Sequence, residues 1–125
     1  MSKVDTKVNL SGWELDNPII PASGTFGYGY EYMEFYDINK LGSFSFKGTT
    51  RNKQNGNTLP RVAEYDSGMI NSVGLENPGI WKVIEEELPK LAKVYNKKVI
   101  ANISGNSIEE RSEERRVGKE CRSRW

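Results

Sequence analysis

The order of the apolar segments constrains this chain most: short strand-like runs alternate with helical stretches, and the runs stop at polar residues. Residues 8–16 come first, two short alternating arms around the turn dipeptide Ser11-Gly12, and read as a hairpin. After Asn17-Pro18, Ile19-Ile20-Pro21-Ala22-Ser23 is a short apolar strand, and Gly24, Gly27 and Gly29 follow in a loop. A helix is predicted over roughly 31–39, with Tyr32, Phe35 and Tyr36 at helical spacing. Ser43-Phe44-Ser45-Phe46-Lys47-Gly48 alternates as a second strand.

Residues 49–77 form a long segment rich in Gly, Asn and Thr without strong periodicity. Connections of that length are more often functional than idle. Pro78-Gly79 then opens a helix over roughly 80–95, with Ile80, Ile84, Leu88 and Leu91 on one stripe opposite Lys82, Glu86 and Lys90. Pro89 should kink or split it. Val99-Ile100-Ala101-Asn102-Ile103 is a third strand, and Ser107 and Glu110 have the capping-box spacing of a further helix. Strands alternating with helices imply right-handed crossovers and a parallel sheet, an α/β fold whose sheet is covered on both faces. With three such strands the sheet is expected to be incomplete.

If the strands are parallel neighbours, Ser23, Lys47 and Asn102 occupy equivalent places at their C-terminal ends, the edge where parallel α/β folds bind ligands. A lysine ending a strand of Phe and Ser is costly to desolvate unless something anionic or polar meets it. Taken alone, it fits an ordinary loop-edge lysine that snorkels to solvent better than a ligand-binding one; three polar strand ends in register with glycine-rich loops make a polar-ligand site an even alternative. In the loop 68–79, Asn71 and Asn77 offer paired donors and acceptors suited to a cyclic imide or amide, and Gly74 permits close backbone approach. An Asn/Gly-rich surface turn has the same local composition.

Composition narrows the chemistry. The 125 residues hold no histidine, which removes Ser-His and Cys-His nucleophiles and His-based metal sites from this stretch, so no metal site is expected. One cysteine gives no disulfide framework, and the polar N-terminus lacks the apolar core of a signal peptide; a cytoplasmic protein is expected. No apolar run approaches the ~20 residues that span a bilayer, so no membrane partner is expected.

Charge is uneven. Residues 111–125 carry six basic and three acidic residues, leaving 12 basic and 14 acidic, a net charge of −2, in residues 1–110. Periodicity stops at Glu110, and residues 111–125 resemble the in-frame translation of a sequencing-library adapter. Residues 1–110 are therefore read as the native portion and 111–125 as a non-native tail, to be set aside with its Cys121. A basic nucleic-acid-binding arm and a genuine surface helix are the competing readings of that tail, and a nucleic-acid-binding module would rest on it alone.

Pro21-Ala22-Ser23-Gly24, Phe46-Lys47-Gly48-Thr49-Thr50, Gly56-Asn57 with Pro60-Arg61, Asn71-Ser72-Val73-Gly74-Leu75-Glu76-Asn77-Pro78-Gly79 and Ala101-Asn102-Ile103-Ser104-Gly105 together resemble dihydroorotate dehydrogenase, in order, over residues 8–110. Arg61-Val62-Ala63-Glu64 and Gly74-Leu75-Glu76-Asn77-Pro78-Gly79 look more like the NAD-linked class (class 1B) catalytic subunit than the fumarate-linked one. The resemblance implies the N-terminal part of a TIM (β/α)8 barrel, with FMN at its C-terminal mouth, that oxidises dihydroorotate to orotate in UMP synthesis.

It also implies a homodimer of catalytic subunits, and NAD as final acceptor through an electron-transfer subunit carrying FAD and a 2Fe-2S cluster. By the same resemblance Ser23, Lys47, Gly48 and Asn102 contact the flavin. Lys47 lies between flavin and substrate as an electrostatic catalyst, and Lys47, Asn71, Ser72, Val73, Gly74 and Leu75 hold the pyrimidine. The family's base, a cysteine, falls on a later loop, beyond residue 110. Since a TIM barrel needs ~200 or more residues, the chain by itself is expected to be inactive and poorly folded. A related pyrimidine reductase, like that domain of dihydropyrimidine dehydrogenase, is the alternative within the superfamily.

Overall fold

A computed structural model describes residues 4–112. These divide into two compact units, residues 4–47 with 86–102 and residues 48–85 with 103–112.

The first unit opens with the expected hairpin, β1 (Val8–Leu10) antiparallel to β2 (Trp13–Leu15). Ser11 and Gly12 turn it at positive φ, and the Asn9 side chain accepts from Gly12 N–H at 3.0 Å. Lys97 ties this hairpin down. Its Nζ lies 2.7 Å from Asp16 and donates to the carbonyls of Asn39 (2.5 Å) and Leu41 (3.0 Å). Hydrogen bonding to Lys97 holds the Asp16 carboxyl below the ordinary aspartate range.

The expected strand 19–23 is extended but irregular. The carbonyls of Ile19 and Pro21 accept from Gly42 N–H (3.2 Å) and Ser45 N–H (3.1 Å). Pro21 has no N–H to give back, and α1 (Ser23–Phe26) starts at the residue meant to end the strand. Residues 43–47 bond on their other side to residue 100, since Phe46 N–H donates to Ile100 O (3.1 Å) and Ile100 N–H to Phe44 O (2.9 Å). Ser45 and Ile100 form a parallel bridge. Three extended stretches thus lie side by side with 43–47 in the middle, held by isolated bonds rather than a regular ladder.

The helix expected over 31–39 is instead two 3-10 turns, Tyr30–Glu34 and Ile38–Lys40. Asp37 separates them: its backbone is extended, and its side-chain carboxylate caps the second turn by accepting from Asn39 N–H at 3.0 Å, a bond that lowers its pKa. The aromatic stripe read there is mostly exposed, with Phe35 at 80%, while Ile38 is fully buried. The core of this unit is aromatic. Phe44 packs against Phe26 (4.9 Å between centroids) and edge-on to Tyr95 (5.2 Å), and Tyr28 lies 6.2 Å from Phe46. Gly29, at φ +87°, has no room for a side chain, because a Cβ would sit 2.6 Å from the Phe44 ring. Ser43 is buried at no cost in unpaired polarity, its hydroxyl donating to Lys98 O at 2.9 Å.

In the second unit, the segment 49–77 is not a structureless loop. It contains an antiparallel hairpin, β3 (Val62–Tyr65) with β4 (Gly68–Asn71), turned by Asp66-Ser67. Both strands are exposed on both faces, so the one-sided apolar pattern that signals a strand is missing. Thr49 and Ile103 form a parallel bridge, and Gln54 and Asn77 an antiparallel one. The regular sheets among the described residues are these two-stranded hairpins, so the parallel sheet expected from the sequence is present only as isolated bridges.

Pro89 does interrupt its helix. α2 (Ile80–Lys82) passes into a π-helical stretch, Val83–Glu87, before α3 (Leu88–Ala92) resumes with proline in its first turn. Helical geometry ends at Ala92 rather than Tyr95. The wider π turn re-phases the buried face, which falls on Val83, Glu87, Leu91 and Tyr95 rather than on Ile80, Ile84 and Leu88. Residues 108–112 are helical, with Glu110 N–H bonded to Ser107 Oγ at 3.1 Å. This helix continues beyond Glu110, where the sequence pattern placed its end, and Arg111 Nε donates to Gly105 O at 3.1 Å. The remainder of the tail, Cys121 included, lies outside the described residues. Among the described residues no helix is long and apolar enough to cross a membrane.

Candidate functional site

Ser23, Lys47 and Asn102 all belong to the first unit and stand at the ends of its three extended stretches. Asn102 Nδ2 donates to Ser23 Oγ at 2.7 Å in a half-buried setting, joining the two outer stretches at their ends. The Ser23 hydroxyl proton and Asn102 Oδ1 remain to donate to and accept from a ligand. The backbone of Lys47 is fixed by its N–H donating to Gly27 O at 2.8 Å, and its side chain is half-buried.

A carboxylate that sequence reading passed over meets the Tyr30 hydroxyl. Glu87, buried in the π-helical stretch, accepts from Tyr30 OH at 2.6 Å and from Lys90 Nζ at 3.1 Å. That bond to Glu87, with burial second, raises the Tyr30 pKa. Nothing in its local pattern marks Glu87 as buried, because the sequence stripe assigns the polar face to its neighbours.

The second unit carries the other predicted residues. Gly48 is buried at the start of the unit, next to Thr49 and Thr50, which are also buried. Asn71 is the last residue of β4 and is exposed, and Ser72 to Leu75 form the turn that follows. Gly74 and Leu75 both lie at positive φ, +76° and +52°. For leucine that conformation is strained and persists only where surrounding bonds enforce it. They do so here: Asn77 Nδ2 donates to Leu75 O at 2.8 Å, while Asn77 Oδ1 accepts from Thr50 N–H (3.1 Å) and Gly79 N–H (3.0 Å). Asn77, 4% exposed, is therefore an internal brace rather than a ligand-facing amide.

On the other side of the turn, Asn57 Nδ2 donates to Ser72 O and Ser72 Oγ, both at 3.0 Å, and Asn57 N–H donates to Val73 O at 3.0 Å. Arg61 reaches Asn57 O (2.5 Å), Asn55 O (2.9 Å) and the Glu76 carboxylate. Among the described residues, no group of three His, Cys, Asp or Glu side chains could hold a metal ion.

The dihydroorotate dehydrogenase family model matches residues 5–119, which reaches past Glu110. The catalytic subunit of dihydroorotate dehydrogenase B (NAD(+)) from Geobacillus sp. (strain WCH70) is 53% identical over 103 residues, covering 82% of this chain and 33% of that protein. The same subunit from Oceanobacillus iheyensis is 50% identical over 107 residues, 86% of this chain and 35% of the relative. That from Alkaliphilus metalliredigens is 51% identical over 110 residues, 88% and 36%. The chain spans about a third of the length of these relatives.

Proposed function

The chain belongs to the dihydroorotate dehydrogenase family, and from that premise we propose that its sequence serves FMN-dependent oxidation of dihydroorotate to orotate. The pathway is UMP synthesis, and the electrons pass to NAD through a partner subunit that carries FAD and a 2Fe-2S cluster. The catalytic subunits form a homodimer, and the enzyme works in the cytoplasm. The architecture is that of a TIM barrel to which residues 1–110 contribute the N-terminal part, and residues 111–125 are a non-native tail. The nucleotide sequence across codons 110 and 111 tests that boundary: adapter bases support it, and an uninterrupted family frame overturns it.

The observation that carries the reading is the Ser23–Asn102 pair beside Lys47 at the ends of three side-by-side stretches. A half-buried hydroxyl–amide pair with one donor and one acceptor left over suits the alternating donors and acceptors of a flavin ring edge, so these residues fit FMN. Ser23, Lys47, Gly48 and Asn102 would hold it. When bound, FMN supplies the acceptor for the hydride of dihydroorotate.

The rest is the work of the chain's own residues. The Lys47 ammonium places a fixed positive charge where electron density accumulates, without reorganisation at the moment of transfer. Asn71 and the turn Ser72-Val73-Gly74-Leu75, with Gly74 and Leu75 at positive φ, orient the pyrimidine ring and its carboxylate.

The experiment exchanges residues 4–110 into the corresponding third of the Geobacillus relative. We expect the exchanged enzyme to bind FMN and its flavin absorbance to bleach on adding dihydroorotate. An enzyme that binds FMN but is not bleached by dihydroorotate overturns the reading.

A further inference from the structure

We infer that Asn57 is a positioning residue for the turn Ser72-Val73-Gly74-Leu75, setting its shape before any substrate arrives. The functional sense of this rests on the pyrimidine-binding reading above; the structural sense does not.

The geometry is specific to this one side chain. Its carboxamide nitrogen donates two bonds to one residue, Ser72 O and Ser72 Oγ, each at 3.0 Å. Its backbone N–H holds the next carbonyl, Val73 O, at 3.0 Å. The third residue packs directly on it: a Cβ added to Gly74 would lie 2.7 Å from Asn57 Cγ and 2.8 Å from Asn57 N. Three consecutive residues of the turn are thus set by Asn57, and the absence of a side chain at Gly74 is explained by it. Asn57 is held in turn, because Arg61 Nε donates to Asn57 O at 2.5 Å and Arg61 O accepts Ser72 N–H at 2.8 Å.

The chemistry selects asparagine. Only a primary amide gives two protons from one nitrogen while fitting this length of side chain. Aspartate has the same shape and keeps the backbone bond to Val73, but its carboxylate can only accept, so it faces Ser72 O without a proton between them. Asn57→Asp therefore removes the donated bonds with volume unchanged, and Asn57→Ala removes bonds and packing together.

The test is amide hydrogen exchange on the exchanged enzyme that carries residues 4–110 of this chain. Two amides report on the turn: that of residue 57, held by Val73 O, and that of Ser72, held by Arg61 O. In both variants we expect these to exchange about tenfold faster, the effect of losing bonds of this strength, with the β3–β4 ladder unchanged. Exchange at both positions within about twofold of the same enzyme with Asn57 intact overturns the inference. So does an increase shared equally by the ladder, which reports general loosening. Orotate added to the exchanged enzyme with Asn57 intact and FMN bound separates the two readings. Faster exchange in the variants, with no orotate-induced change at Ser72 to Leu75, upholds Asn57 as the strut and counts against the pyrimidine reading.

Discussion

Asn102 and Ser23 lie 79 positions apart in sequence, yet their side chains meet at 2.7 Å, joining the ends of two extended stretches whose backbones each pair with residues 43–47. The bond fixes both residues before a ligand is present, so on the proposed reading a flavin edge would meet an arranged donor and acceptor rather than two rotamers to be ordered. In the exchanged enzyme carrying residues 4–110, Asn102→Ala is expected to lower stability by about 1 kcal/mol, read from the urea midpoint. Ser23→Ala should cost a similar amount, and the double variant clearly less than the two costs added. Strict additivity would mean that the pair is not coupled.

Gly74 and Gly24 make opposite predictions. At Gly74 a methyl group meets the Asn57 side chain and backbone at a φ of +76°, so Gly74→Ala should destabilise by at least ~2 kcal/mol. At Gly24, inside α1, a Cβ meets nothing within 4 Å, so Gly24→Ala should be neutral or stabilising by up to ~1 kcal/mol. Thermal melts of the two variants check the contrast.

The Tyr95 hydroxyl is buried with no hydrogen-bond partner, and burial raises its pKa from 10.0 to about 12. The folded state therefore holds the phenolic proton more tightly than the unfolded one. Its stabilising effect is complete below pH 10.0 and is lost progressively as pH rises toward about 12. Tyr95→Phe should flatten that alkaline decline in a urea-midpoint series. It should also raise stability at neutral pH by about 1 kcal/mol, because an unsatisfied hydroxyl leaves the core.

Tyr30 and Glu87 answer to each other. Tyr30→Phe removes the 2.6 Å donor from a buried carboxylate and should cost about 1–3 kcal/mol, whereas Glu87→Gln keeps an acceptor for Tyr30 and should cost less. Chemical denaturation of the two variants ranks them.

The places where residues stop being apolar were readable from the chain: Ser23, Lys47 and Asn102 do end neighbouring extended stretches. Periodicity carried the N-terminal hairpin and the break caused by Pro89, because each rests on local turn or ring chemistry. What escaped depends on contacts distant in sequence. The β3–β4 hairpin has no buried face to give it a pattern, the Tyr30–Glu87 bond spans 57 residues, and the role of Asn77 as an internal brace is set by Thr50. Over 31–39 the helical spacing of Tyr32, Phe35 and Tyr36 points to one helix, whereas Asp37 breaks the run and Ile38 alone goes fully inside.

On the proposed reading Lys47 supplies the charge that draws electrons from dihydroorotate onto a flavin held by Ser23, Gly48 and Asn102. The most direct measurement of this is the rate at which dihydroorotate bleaches the flavin in the enzyme carrying residues 4–110 of this chain, with and without Lys47→Ala. We expect a fall of about 100-fold or more with FMN still bound; equal rates for the two proteins would overturn this role for Lys47.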